Sequence, residues 1–101
     1  MKRSQDKRTG DDVRGLSELR SVGPATLEDF RRIEIHSVSE LAKCEARELY
    51  EKLCLVTQTR HDPCAEDVFA AAIAQARDPN LPLEQCNWWY WSRLRKSRSP
   101  T

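Results

Sequence analysis

Residues 63–77 read PCAEDVFAAAIAQAR, and their spacing constrains the fold more than any other feature of the chain. Ala65, Val68, Phe69, Ala72, Ile73 and Ala76 fall at i, i+3, i+4, i+7, i+8 and i+11, which is one face of a helix. Asp62 is placed to cap that helix, Pro63 suits its first position, and Asp78-Pro79-Asn80 breaks it. The alanines would let a neighbouring helix approach closely. Sustained apolar–polar alternation, the mark of a half-buried strand, is missing along the chain, and so are β-branched runs. The expected class is all-α.

The remaining helices follow the same logic. Residues 12–20 would form the first, with Asp12 as a cap, Leu16 and Leu19 facing inward and Val13 behind them. Residues 25–32 would form the second, buried through Leu27, Phe30 and Ile33. A short helix at 38–42 has Ser37 and Glu40 in capping-box spacing. Residues 45–56 place Ala46, Leu49, Tyr50, Leu53 and Val56 on one face. The tail 87–96, NWWYWSRLRK, can supply a sixth helix with Asn87 as its cap. The expectation is a compact bundle of five to six short helices. A chain of 101 residues is one ordinary domain. Its helical part spans 12–96, between a flexible basic tail at 1–11 and a flexible tail at 97–101. A weak internal echo adds to this. LSELRSVGPATLEDF and VSELAKCEARELYEKL share a Ser-Glu-Leu triplet followed by a tight turn and an amphipathic run. They read either as two helix–turn–helix units, the second degenerate, or as a chance match.

Composition narrows the function. Hydrophobic residues make up 39% and charged residues 33%, the balance of a soluble globule. No apolar stretch nears the roughly 20 residues of a membrane span. The opening MKRSQDKRTGDD is too charged for a secretory signal, so a cytoplasmic location is expected. The formal charge is only +1, lower than usual for a dedicated nucleic-acid binder. The charge is uneven, however. Arg93, Arg95, Lys96 and Arg98 cluster at one end, and Lys2, Arg3, Lys7 and Arg8 at the other. Such ends either add salt-sensitive affinity for phosphate or merely solubilise. Cys44, Cys54, Cys64 and Cys86 lack CxxC spacing and read as small apolar residues without disulfides.

The stretch SVGPAT, residues 21–26, must stop one helix and start another within about four residues. Gly23 can adopt a left-handed conformation or admit a close neighbour. Pro24 fits the first turn of the second helix, where its missing N–H had no partner to lose. The N–H groups of Gly23, Ala25 and Thr26 are then left at the positive end of the helix dipole, a natural ligand set for a phosphate oxygen. A helix connection that binds nothing is the competing reading.

Leu19, Val22, Gly23, Pro24, Ala25 and Leu27 resemble the helix-hairpin-helix motif of DNA-binding and DNA-repair proteins, here spanning 12–33. The following IEIHSVSELA resembles the segment that commonly succeeds that motif. The resemblance implies sequence-independent binding of duplex DNA through backbone contacts to phosphates. Ser21 and Glu34 stand where the motif often has glycine, and a left-handed Glu34 would carry about 1 kcal/mol of strain. With LYEKLCLVTQTRHDPCAEDVF and the Trp-rich end, the chain also resembles the bacterial pathogenicity-locus proteins, often labelled mitomycin-resistance or helix-hairpin-helix proteins. That match covers roughly residues 13–93.

The candidate nucleic-acid-binding residues are therefore Arg20, Val22, Gly23, Pro24, Ala25, Thr26, Arg93 and Arg95. Glu28 and Asp29 lie close by in sequence and would oppose an anion. Trp88, Trp89, Tyr90 and Trp91 either cover the core or stack on unpaired bases beside Arg93 and Arg95. Four consecutive aromatics cannot all point inward, so one or two are expected at the surface. His61 and Cys64 form H-x-x-C, which a helix start explains as well as a metal site or a Cys–His pair does. No metal, cofactor or catalytic set is expected. The leading expectation is a non-catalytic module on duplex DNA. The alternative is a protein-interaction adaptor that uses the Trp-rich segment or a helix face.

Overall fold

The computed structural model describes residues 14–98 and, among them, is all-helical. Five α-helices follow one another: α1 (Pro24–Arg32), α2 (Val38–Ala42), α3 (Ala46–Thr57), α4 (Cys64–Arg77) and α5 (Trp88–Arg98). Single 3₁₀ segments lie at Leu16–Glu18 and Leu83–Cys86. The expected tail at 1–11 lies outside the described residues, as do Asp12 and Val13. Helix α5 runs through Arg98, so it continues two residues past the boundary expected at 96.

The helix expected over 12–20 is not formed across the described part of that span. It is reduced to the 3₁₀ turn, and both flanks are extended: Gly15 at φ −86°, ψ 159° and Leu19 at φ −77°, ψ 139°. Gly15 supplies the physical reason, since a glycine inside a helix costs about 1 kcal/mol. Here its N–H instead donates to Glu18 Oε2 at 2.8 Å. Leu19 is nevertheless buried and Leu16 packs against the core, as expected of that segment.

Helix α4 is the centre of the molecule and packs against α2, α3 and α5. Phe69, Ala72, Ile73 and Ala76 are buried along the face legible in the sequence. Its opposite side is buried too, which places Asp67, Ala71 and Gln75 inside. Phe69 stacks on Phe30 of α1, with ring centroids 5.5 Å apart. Ile33, Ile35, Val38, Leu41, Leu49, Tyr50 and Leu53 complete the core. Val56 does not join it and is 49% exposed.

The caps agree in part with the sequence reading. Ser37 Oγ accepts from Glu40 N at 3.1 Å, while the Glu40 carboxylate takes the N–H of His36 at 2.6 Å. Asp62 Oδ1 accepts from Cys64 N at 2.8 Å and so holds the first turn of α4, which begins one residue after Pro63. The expected cap of the last helix is different. The Asn87 side chain turns back to donate to Leu83 O, and the N–H of Trp88 is taken by Ser21 Oγ, 67 residues away, at 3.1 Å. The four cysteines are free thiols; Cys86 is buried and the others are half-buried. Among the described residues, no helix is long and apolar enough to cross a membrane.

Candidate functional site

The turn between Leu19 and α1 is held from behind by two polar side chains. Gln75, 6% exposed on α4, accepts from Arg20 N at 2.8 Å and donates to Arg20 O at 2.9 Å. The same amide nitrogen reaches Ala71 O and Cys86 O. Ser21 then takes a left-handed conformation, φ 72°. Its hydroxyl donates to Cys86 O and accepts from Trp88 N, both at 3.1 Å. A serine at this left-handed position carries backbone strain that glycine would not, and gains two bonds that tie the turn to the start of α5. Its side chain is directed to the C-terminal segment and away from the amides that follow.

Val22 packs against the core, and its N–H donates to Leu19 O. Gly23 is extended, φ −105°, ψ −173°, so it needs no left-handed freedom. A Cβ built on it would meet nothing within 4 Å. Neither backbone conformation nor internal crowding requires a glycine there. Pro24 opens α1, and Gly23 O accepts the first intrahelical bond from Leu27 N at 2.9 Å. Among the described residues, the N–H groups of Gly23, Ala25 and Thr26 have no acceptor. Pro24 and Ala25 are exposed and Thr26 is half-exposed, so these donors face open space at the positive end of α1.

The nearby acids are largely disarmed. The first turn of α1 contains none. Glu28 pairs with Arg31 and Arg32, and the hydrogen bond from Arg31 holds its carboxyl below the usual range. Burial pushes the Asp29 carboxyl up, against the opposing pull of His61 and Arg32. Arg20 is pinned through its backbone while its guanidinium is exposed, with no ion-pair partner among the described residues.

The second half of the internal echo makes an instructive contrast. Leu41 is buried like Leu19, and the turn between α2 and α3 occupies the place corresponding to SVGPA. Arg77 donates to Ala42 O at 2.8 Å and Cys44 O at 2.6 Å, and its guanidinium meets Glu45, the residue that caps α3. There a guanidinium ties down the carbonyls that end α2, whereas among the described residues no side chain bonds the corresponding carbonyls or the amides of the Gly23 turn other than Gln75 and Ser21 behind it.

The two C-terminal arginines have separate fates. Arg95 is committed: its Nε and Nη2 donate to the two oxygens of Asp67 at 2.9 and 3.0 Å. Asp67 is only 2% exposed, and its hydrogen bond raises the Arg95 pKa further. The pair joins α5 to α4, and Arg95 is not available as a free cation. Arg93 lies on the surface, 4.8 Å from the Trp89 ring centroid and 3.7 Å from Glu84. Trp88 and Trp89 are 39% and 42% exposed. Trp91 is half-buried and donates from Nε1 to Gln85 O at 2.7 Å, with the Tyr90 ring edge-on to it.

His61 serves a structural role. Thr57 donates its single hydroxyl proton to Leu53 O, so it accepts from Nε2–H of His61 at 2.8 Å. The His61 carbonyl takes the Tyr50 hydroxyl. No group of three or more His, Cys, Asp or Glu residues is placed to hold a metal among the described residues. An open groove of about 430 Å³ lies elsewhere, beside Tyr50, Cys54, Leu55 and Arg60, and contains none of the candidate residues.

Sequence reasoning misses Gln75 and Asp67 as buried anchors and Ser21 as a half-buried one. The only signal for Gln75 and Asp67 is a polar residue inside an alanine-rich helix whose second face is also covered. For Ser21 it is a non-glycine at a glycine-favouring position.

The chain is similar to a mitomycin resistance protein McrB of Streptomyces lavendulae, 33% identical over 88 residues that cover 87% of this chain and 80% of the relative. No solved structure matches it significantly. A family model described as Cdd1, pathogenicity locus, matches residues 9–97, and the chain belongs to that family.

Proposed function

We propose that this protein is a non-catalytic module that binds the phosphates of duplex DNA without reading sequence, through a helix-hairpin-helix-like turn at 19–27. The observation that carries this reading is the open Gly23 turn. Three N–H groups at the start of α1 have no partner among the described residues, and a Cβ on Gly23 would meet nothing within 4 Å. A glycine that the folded chain itself does not require is explained by something that approaches from outside. A phosphate oxygen suits three amides and a helix dipole. Arg20, without an ion-pair partner among the described residues, is the cation placed to assist; Arg93 lies at the surface but is shared with Glu84 and Trp89, and Arg95 is held by Asp67.

One such turn contacts few phosphates, so binding should be weak, with Kd of about 10⁻⁴ to 10⁻⁶ M near physiological salt. The test is a titration of a 16-base-pair duplex at several salt concentrations. The reading expects a log–log salt slope of magnitude about 2 to 3. It also expects Gly23→Val to abolish binding while the protein stays folded. The extended Gly23 backbone suits a β-branched residue, and a Cβ there meets nothing within 4 Å. Binding that ignores both salt and Gly23→Val would contradict the proposal.

A second reading, a protein-interaction adaptor, rests on the exposure of Trp88 and Trp89. It expects no nucleic-acid binding, together with partner capture or self-association that is lost in Trp88→Ala and Trp89→Ala.

A further inference from the structure

Helix α5 contains no acidic residue, and its outer face is patterned. Trp89, Arg93 and Lys96 recur at i, i+4 and i+7, on one stripe. All three are exposed, and the Arg93 guanidinium lies 4.8 Å from the Trp89 ring centroid. The neighbouring Trp88 ring is exposed as well. Two acids border the stripe: Glu84 is 3.7 Å from Arg93, and Asp62 interacts with Lys96 at the other end. Burying an indole against a partner's apolar surface would strand these cations. A base plane beside a phosphate satisfies both the ring and the charges.

The stripe also stands at a defined distance from the Gly23 turn. Ser21 Oγ is 3.1 Å from Trp88 N, and Gly23 follows Ser21 by two residues. Chain geometry therefore keeps the Gly23 Cα within about 13 Å of the first residue of α5. Gln75 and Ser21 each bond both segments, so the spacing is held by side chains that bridge them. A few nucleotides of one strand cover such a distance.

We infer that the protein favours DNA with a single-stranded extension over fully paired duplex: the Gly23 turn holds a duplex phosphate, Trp89 and Trp88 stack on unpaired bases, and Arg93 and Lys96 follow the strand. This inference rests on the phosphate-binding reading of the turn. Aromatic stacking on bases together with cations along the backbone is how proteins hold single strands without sequence preference.

The experiment compares two fluorescent DNAs of equal nucleotide count at low salt, a blunt duplex and a duplex with a ten-nucleotide 3′ thymidine overhang. Both are titrated with the full chain and with Trp89→Leu, Arg93→Gln and Gly23→Val variants. The overhang DNA should bind about tenfold more tightly than the blunt one and quench tryptophan fluorescence. Trp89→Leu should reduce that preference to twofold or less, by weakening the overhang DNA far more than the blunt duplex. Arg93→Gln, at a surface position and so tolerant of change, should also reduce it. Gly23→Val should weaken both DNAs. Equal affinity of the unaltered chain for the two DNAs would overturn the inference while the phosphate reading stands. So would a preference that persists in both Trp89→Leu and Arg93→Gln, or self-association through the indoles that competes with DNA. Failure to bind either DNA would overturn both readings.

Discussion

Gln75 bonds Arg20 through both of its backbone groups, accepting from the N–H at 2.8 Å and donating to the carbonyl at 2.9 Å. The side chain lies within the molecule, on α4. One amide thus fixes the chain just before the Gly23 turn and, through Cys86 O, the segment leading into α5. Replacing Gln75 with leucine should leave both backbone groups of Arg20 unsatisfied, while Cys86 O keeps its bond from Ser21. We expect a loss of about 3 kcal/mol, a fall of roughly 15 °C in thermal midpoint, followed by circular dichroism. Gln75→Glu should also destabilise, since a carboxylate cannot donate to either carbonyl.

Ser21 separates backbone strain from side-chain bonding. Its φ is 72°, and its hydroxyl holds both Cys86 O and Trp88 N. Ser21→Ala keeps the strain and loses the bonds, at a cost of about 2 kcal/mol. Ser21→Gly loses the bonds but relieves the strain, and should be about 1 kcal/mol more stable than Ser21→Ala. Amide exchange at Trp88 should accelerate in both. At Glu34, φ 64° and exposed, glycine should stabilise by up to about 1 kcal/mol in chemical denaturation.

Asp67 and Arg95 should behave as one unit. Asp67→Ala leaves a guanidinium without its two acceptors and should cost about 3 to 5 kcal/mol. The double change Asp67→Leu with Arg95→Met should recover most of that loss. At matched folding, Arg93→Ala should flatten the salt dependence of DNA binding, whereas the double variant should not.

Asp29 supplies a pH signature. Burial raises its carboxyl pKa, so the folded state holds the proton more tightly than the unfolded chain. Above the folded pKa the charged form opposes folding in full. As pH falls through that value toward the ordinary carboxylate range, the opposition disappears. Asp29→Asn should therefore be more stable than the parent at pH 7, with the advantage vanishing below about pH 4. Denaturant melts at both pH values check the sign.

Much of the architecture is legible in the residues. The Phe69–Ala72–Ile73–Ala76 face, the Ser37–Glu40 cap and the break at Asp78-Pro79 are local features, and all are present. What escapes sequence reading is set by long-range geometry. The 3₁₀ turn at Leu16–Glu18 replaces a helix because Gly15 interrupts a span too short to absorb its cost. Periodicity assigns α4 one buried face, whereas a central helix buries two, so Asp67 and Gln75 are hidden from a pattern search. The cap of α5 comes from Ser21, which no window around Asn87 contains. The tight turn at Gly23 is legible in the residues, but its surroundings are not: the turn before α3 is bonded by Arg77, from 33 residues further along.

The most direct measurement is a backbone amide NMR titration of the full chain with a short blunt duplex at low salt. The account predicts that the largest shifts fall on the amides of Gly23, Ala25 and Thr26, and that they reverse when salt is raised. Saturable DNA binding that leaves those three amides unmoved, or no binding under these conditions, would contradict it.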